Sequence, residues 1–171
     1  MPSKLTRAAL LLGCFFLSST CEAQVDPAVK VHAYEMDVIG GIPGGPPGVG
    51  APARQTRHVI YIETAPSAKC SVEGVWMNGK FHGVEAATKT PPIRFESPVK
   101  LAQDDKNVAV PATTNTVTEI VVKDPAPDKT PDAATARLLG EHQAVVALNY
   151  QGKPLLVPVK RFEKRDPIYM K

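Results

Sequence analysis

The sequence predicts an all-β domain, an antiparallel β-sandwich, and three observations predict it. Short runs of alternating or β-branched residues recur along the chain, with turn residues about every 8–12 positions. Proline occupies 17 of 171 positions, roughly twice the usual 5%, which suits edge strands and rigid loops and counts against long helices. Residues 71–87, S-V-E-G-V-W-M-N-G-K-F-H-G-V-E-A-A, place Asn78-Gly79 between two strand-like arms. Asn-Gly tolerates the two positive φ angles of a type I′ turn, so this stretch reads as a tight hairpin closed by Met77 and Lys80.

Residues 1–23 have the three parts of a secretory signal peptide. Lys4 and Arg7 supply the positive start, and residues 8–17 (A-A-L-L-L-G-C-F-F-L) an apolar run too short to span a bilayer. Cys21-Glu22-Ala23 is a small-residue exit. Cleavage after Ala23 is expected, leaving an exported chain in the periplasm or outside the cell. Leu11-Leu12-Gly13-Cys14 also resembles a lipobox, so lipid anchoring through Cys14, or through Cys21, is the alternative. No later apolar run reaches membrane length, and no transmembrane segment is expected in the mature chain. After the cut only Cys70 remains, which leaves no internal disulfide and places stability on core packing. The formal charge of +3 is interspersed in sign, without the basic run that a nucleic-acid partner requires.

Residues 29–39 alternate, with Val29, Val31 and Ala33 on one face and His32, Tyr34 and Met36 on the other, as in a strand with one face inward. The Gly/Pro-rich stretch 40–53 interrupts this pattern. Its prolines lack backbone donors, so it is a loop and not a phosphate cradle. H-V-I-Y-I-E-T at 58–64 is the next strand, ended by Pro66, and the Asn-Gly hairpin follows. Residues 93–101 read as a strand interrupted at Ser97-Pro98, with a turn at 104–107, then strands at 108–110 and 117–123.

One short crossover helix is expected near 131–139. Thr130 is placed to cap it, Pro131 fits the first turn, Asp132 favours the dipole, and Gly140 closes the other end. A last hairpin joins 144–149, buried on both faces, to 155–162, where Pro158 points to an edge or a bulge. Residues 164–171 read as a loose charged tail, so a single β-sandwich domain spans 24–163. The nearest broad architecture is immunoglobulin-like, with Trp76 as core anchor and without the disulfide pair of antibody domains.

Catalytic signatures are missing. No G-x-S-x-G occurs, and Cys70 with His82 or His142 is a pairing of residue types only. Glu73 and Glu85 lie on opposite arms of the hairpin and would need an opposed geometry to act as acid and base. The chain is therefore not expected to be an enzyme, and no cofactor is implied. His32, His58, His82 and His142, with Cys70, Met36, Met77 and Met170, keep one alternative open. That alternative is a periplasmic copper- or zinc-binding protein in which at least three such side chains converge. The leading expectation is an exported bacterial-type envelope protein that serves as a non-catalytic binding or structural module. Its contact patch would be Trp76, Met77, Lys80 and Phe81 beside the turn. Its partner would be another envelope protein, or a second copy paired through the edge strand at 155–162.

Overall fold

The computed structural model describes residues 28–40, 54–95, 107–126 and 129–170. The leader at 1–23, all but the first residue of the Gly/Pro-rich loop, and the turn at 104–106 lie outside the described residues. Strand β1 (Val29–Gly40) runs antiparallel to β2 (Arg54–Thr64), from Val29 opposite Thr64 to Ile39 opposite Arg54. Beyond β2 the sheet continues through β7 (Thr116–Pro125), β4 (Lys80–Lys89), β3 (Cys70–Met77), β8 (Ala144–Tyr150) and β9 (Lys153–Val159).

β9 then leads through residues 160–162 into β10 (Glu163–Lys164) and β11 (Ile168–Met170), which add in parallel to the outer edge of β1. Because the last strand of the path runs directly into the first, the sheet curls until its two ends meet. The all-β, antiparallel class expected from the pattern is present, in a sandwich-like form. Its pairing is one uninterrupted path, whereas an immunoglobulin domain divides its strands between two sheets. The segment read as a loose charged tail is a correction. It closes the edge of β1, and Ile168 packs against the cluster around Tyr34.

Strand β4 is the corner. Lys80, Phe81 and His82 pair with β3, while Val84 to Lys89 pair with β7, and the register shifts between His82 and Val84. Bulges are the usual device by which one strand passes from one half of a folded sheet to the other. Inside the curl, Ile60, Ile62 and Ile120 of one half meet Val75, Val146, Leu148, Val157 and Val159 of the other. Fully burying such a side chain contributes about 1.5–3 kcal/mol, so this layer is the main source of stability.

Both outer faces are covered in part. A small hairpin of β5 (Ile93–Arg94) and β6 (Val108–Val110) lies over Tyr34, Met36, Val59, Tyr61 and Val117. The Tyr34 hydroxyl donates to the Ala109 carbonyl at 2.6 Å, and the Tyr34 and Phe95 rings meet edge to face at 5.0 Å. Helix α1 (Ala133–Glu141) covers the opposite half through Leu138, against Trp76, Phe81 and Val145. β8 thus has apolar neighbours on both faces, as its A-V-V-A-L run predicts.

Two hairpins close on turns of the same kind. Asn78 and Gly79 have φ of 52° and 72°, and Gln151 and Gly152 have 54° and 79°. Both therefore have the positive angles of the type I′ turn, which glutamine adopts less readily than asparagine. The helix is shifted two residues from what its sequence suggests, and it ends at His142 and not at Gly140. Asp132, not Thr130, is the N-cap and accepts from the Thr135 N–H at 2.7 Å. A carboxylate is a stronger acceptor than a hydroxyl, and this choice leaves Pro131 ahead of the helix, where no N–H is needed.

Candidate functional site

The curl has two ends, and strand direction assigns residues to them. Met77, His82, His58 and Glu35 fall at one end; Cys70 and the Gln151-Gly152 turn fall at the other. At the first end the inward face stops being apolar. Glu35 opposes His58 across β1 and β2, and His82 opposes Val75 across β3 and β4. Opposed residues share a face, so both imidazoles occupy the inner surface, one step beyond the isoleucine layer. An open cavity of about 430 Å³ results, lined by Gln55, Thr56, His58, Met77, His82, Val122, Lys123, Asp124 and Pro125. A second hollow of about 260 Å³, lined by Glu35, Asp37, Arg54, Thr56 and Lys164, shares Thr56 with it.

The histidines in this mouth are held in defined states. His82 Nδ1 lies 2.8 Å from the Lys123 carbonyl oxygen. A carbonyl only accepts, so Nδ1 carries the proton, and in the neutral ring Nε2 keeps its lone pair. His58 packs edge to face on Phe162 at 4.8 Å, and its Nε2 is 3.9 Å from the Glu35 carboxylate. Burial lowers the His58 pKa below its ordinary value; the nearby Glu35 charge opposes this, and His82 adds to it. Near neutral pH His58 is therefore uncharged. Arg54 donates to Asp37 at 2.5 Å and holds that carboxyl below the usual carboxylate range.

No family model, curated protein or solved structure matches the chain. The site must be read from its own residues.

The expected contact patch is not presented as a surface. Trp76, Met77 and Phe81 are each buried, and only Lys80 is exposed. Trp76 and Phe81 meet edge to face at 5.1 Å under α1, and the Lys129 ammonium sits 3.8 Å from the centre of the Phe81 ring. Aromatics beside a turn look exposed in one dimension. Here the helix returns over them, and Met77 turns inward to the mouth instead. The two carboxylates of the hairpin also separate: β3 and β4 pair only from Val75 to His82, so Glu73 and Glu85 lie where the strands have parted.

The candidate ligands divide in the same way. His58 and His82 share the mouth with Met77. His32 lies on the outer face, His142 caps α1 through the Leu138 carbonyl at 3.0 Å, and Cys70 is at the far end with its thiol pushed up by burial. Among the described residues, no three His, Cys, Asp or Glu side chains come together as a ligand set.

One polar cluster escaped the reading of the sequence. Glu63 is 3% exposed, yet its carboxylate meets His32 Nε2 at 2.6 Å, the Asn115 amide at 3.3 Å and the Lys30 ammonium at 3.4 Å. Burial pushes the carboxyl up; the bonds from His32 and Asn115 and the charge of Lys30 outweigh it and leave the pKa below its ordinary value. Beside it, Tyr61 donates to Glu119 at 3.0 Å, and Lys89 pairs with the same carboxylate at 3.2 Å. The signal was present in H-V-I-Y-I-E-T. A run without alternation is buried on both faces, so its glutamate has to find partners.

Proposed function

We propose that this chain is an exported, non-catalytic binding module of the cell envelope whose ligand enters the mouth of the curled sheet. The observation that carries the reading is the mouth itself. It is an open cavity of about 430 Å³, within the range of about 300–1,000 Å³ typical of small-molecule sites. Two imidazoles, a thioether and Thr56 line it together with Gln55, Lys123 and Asp124, one step beyond the apolar layer of the inner face. Such a lining suits a small polar ligand or an inserted loop of a partner. Export rests on the leader-like residues 1–23 and predicts a mature chain that starts at Gln24.

A second reading has one specific observation in its favour. His82, with Nδ1 occupied by the Lys123 carbonyl, presents Nε2 in the way second-shell bonds orient metal ligands. With the neutral imidazole of His58 and the thioether of Met77, the donor set has the softness that suits copper(I) better than zinc.

NMR of labelled protein tests both, with copper(I), zinc and a panel of short peptides and small carboxylates titrated in turn. The expected result is that one of these probes shifts the His58 and His82 rings and the Met77 methyl, and that a His58→Ala/His82→Ala variant abolishes the response. Shifts that survive in that variant would place binding elsewhere and overturn the reading. Metal-specific shifts would promote the second reading over the first.

A further inference from the structure

The place where β3 and β4 part leaves a strand edge with no partner among the described residues. From Val84 to Lys89, β4 pairs with β7 on one side only, because its pairing with β3 ends at His82. Residues 85–89, E-A-A-T-K, are exposed throughout, including Ala86 and Thr88 on the inner side of the sheet. Unpaired edges of this kind are templates for another strand, and proteins protect them when pairing is unwanted. The other long edge is protected. Pro154 and Pro158 of β9 stand at alternate positions, and the Val159 carbonyl accepts from Gln143 on the β8 side. The prolines therefore fall on the outward positions, where they remove donors from that edge. The β4 edge has no proline.

We propose that this chain self-associates through β4, with residues 85–89 of two copies paired antiparallel about a two-fold axis at Ala87. The register follows from the residues. Two-fold symmetry about Ala87 sets Glu85 of each copy opposite Lys89 of the other, and Ala86 opposite Thr88. Both charged pairs fall on one face, since Glu85, Ala87 and Lys89 alternate with Ala86 and Thr88. The side chains at the centre are small and leave room for the facing strand. Each charge also keeps its own partner, Lys123 for Glu85 at 3.6 Å and Glu119 for Lys89 at 3.2 Å. The paired edges form one row of alternating charge across both copies. Roughly four to six backbone hydrogen bonds close between the strands, depending on which alternate set faces outward. The interface is isologous and closes at two copies.

Sedimentation equilibrium on the purified protein over a concentration series, with zero-length carbodiimide cross-linking, tests the proposal. The expected results are a monomer–dimer equilibrium and an intermolecular Glu85–Lys89 cross-link. Within one chain those residues are about 13 Å apart along a strand, too far for that reagent. Glu85→Lys sets lysine against lysine twice and should weaken the dimer at least tenfold. Glu85→Lys combined with Lys89→Glu should restore it. Circular dichroism checks that each variant folds, and if one does not, the cross-link on the unmodified chain decides alone. A monomer at every concentration, a dimer indifferent to Glu85→Lys, or a double exchange that restores nothing would each overturn the assignment. An extended segment of another protein on the same edge is the case the monomer result would leave to pursue.

Discussion

Gly74 is where β3 passes closest to its neighbours, and adding one methyl group there is a sharp test of the packing. A Cβ at this position would overlap Phe81 Cζ and would lie 2.7 Å from Cε2 of the same ring and 2.8 Å from the His82 carbonyl oxygen. Comfortable separations are about 3.5–4.0 Å, so both neighbours must yield by roughly 1 Å. The carbonyl belongs to the short β3–β4 pairing and moves only if that pairing opens. The Phe81 ring is held between Trp76 and Lys129, so its movement weakens those contacts. Overpacking of this kind costs about 1–3 kcal/mol, and losing the aromatic contact about 0.5–1.5 more. Gly74→Ala is therefore expected to lose about 2–4 kcal/mol, or about 5–15 °C in Tm at this chain length. Urea unfolding followed by fluorescence measures it directly, because Trp76 is the only tryptophan and touches the displaced ring. Gly83→Ala is the control: its Cβ would meet nothing within 4 Å, and the change should stay within about 0.5 kcal/mol. Trimming the obstacle in a Gly74→Ala/Phe81→Leu variant should recover part of the loss relative to the sum of the single changes. A loss below about 1 kcal/mol in Gly74→Ala, with Trp76 emission unchanged, would refute the close approach.

The remaining predictions concern the buried charges, the mouth and the helix cap. Glu63 has a folded pKa below its unfolded value of about 4.3, so its contribution is fully present above that pH and is lost as pH falls through the folded value. Glu63→Gln should cost about 1–3 kcal/mol at pH 7 and flatten the acid loss of stability; equal pH dependence in both proteins would contradict the assignment. Proton NMR should find the His58 midpoint below 6.5, moving up in His82→Asn and further down in Glu35→Gln, because His82 depresses it and Glu35 supports it. A midpoint indifferent to both changes would rule out the arrangement of the mouth. Asp132→Ala removes the bond to the Thr135 N–H, so it should cost about 1 kcal/mol and speed hydrogen exchange in the first turn of α1. Unaltered exchange there would mean that Asp132 is not the cap.

The composition and local pattern of this chain determine its class and most of its strands. Asn78-Gly79 determines one hairpin because its backbone angles are a property of two residues, and A-V-V-A-L declares a strand buried on both faces because no polar face interrupts it. Pro158 pointed to an edge or a bulge for the same local reason, and β9 ends the strand path. What the sequence alone left open depends on contacts between residues far apart. Nothing near Glu163 or Ile168 shows that the edge of β1 is waiting for them, so an element read as a tail became the closure of the sheet. Trp76 and Phe81 looked like a patch until a helix some 60 positions later in sequence covered them. The doubly buried run around Glu63 implies that this carboxylate has partners, but not that they are His32 and Asn115, each on a different segment. His58, His82 and Met77 share a mouth only because the sheet curls and β4 turns a corner at its bulge. Strand propensity is decided within a few residues; curvature, register and the side chains brought together inside a curl are decided by pairing over long separations, and only the tertiary structure contains that information.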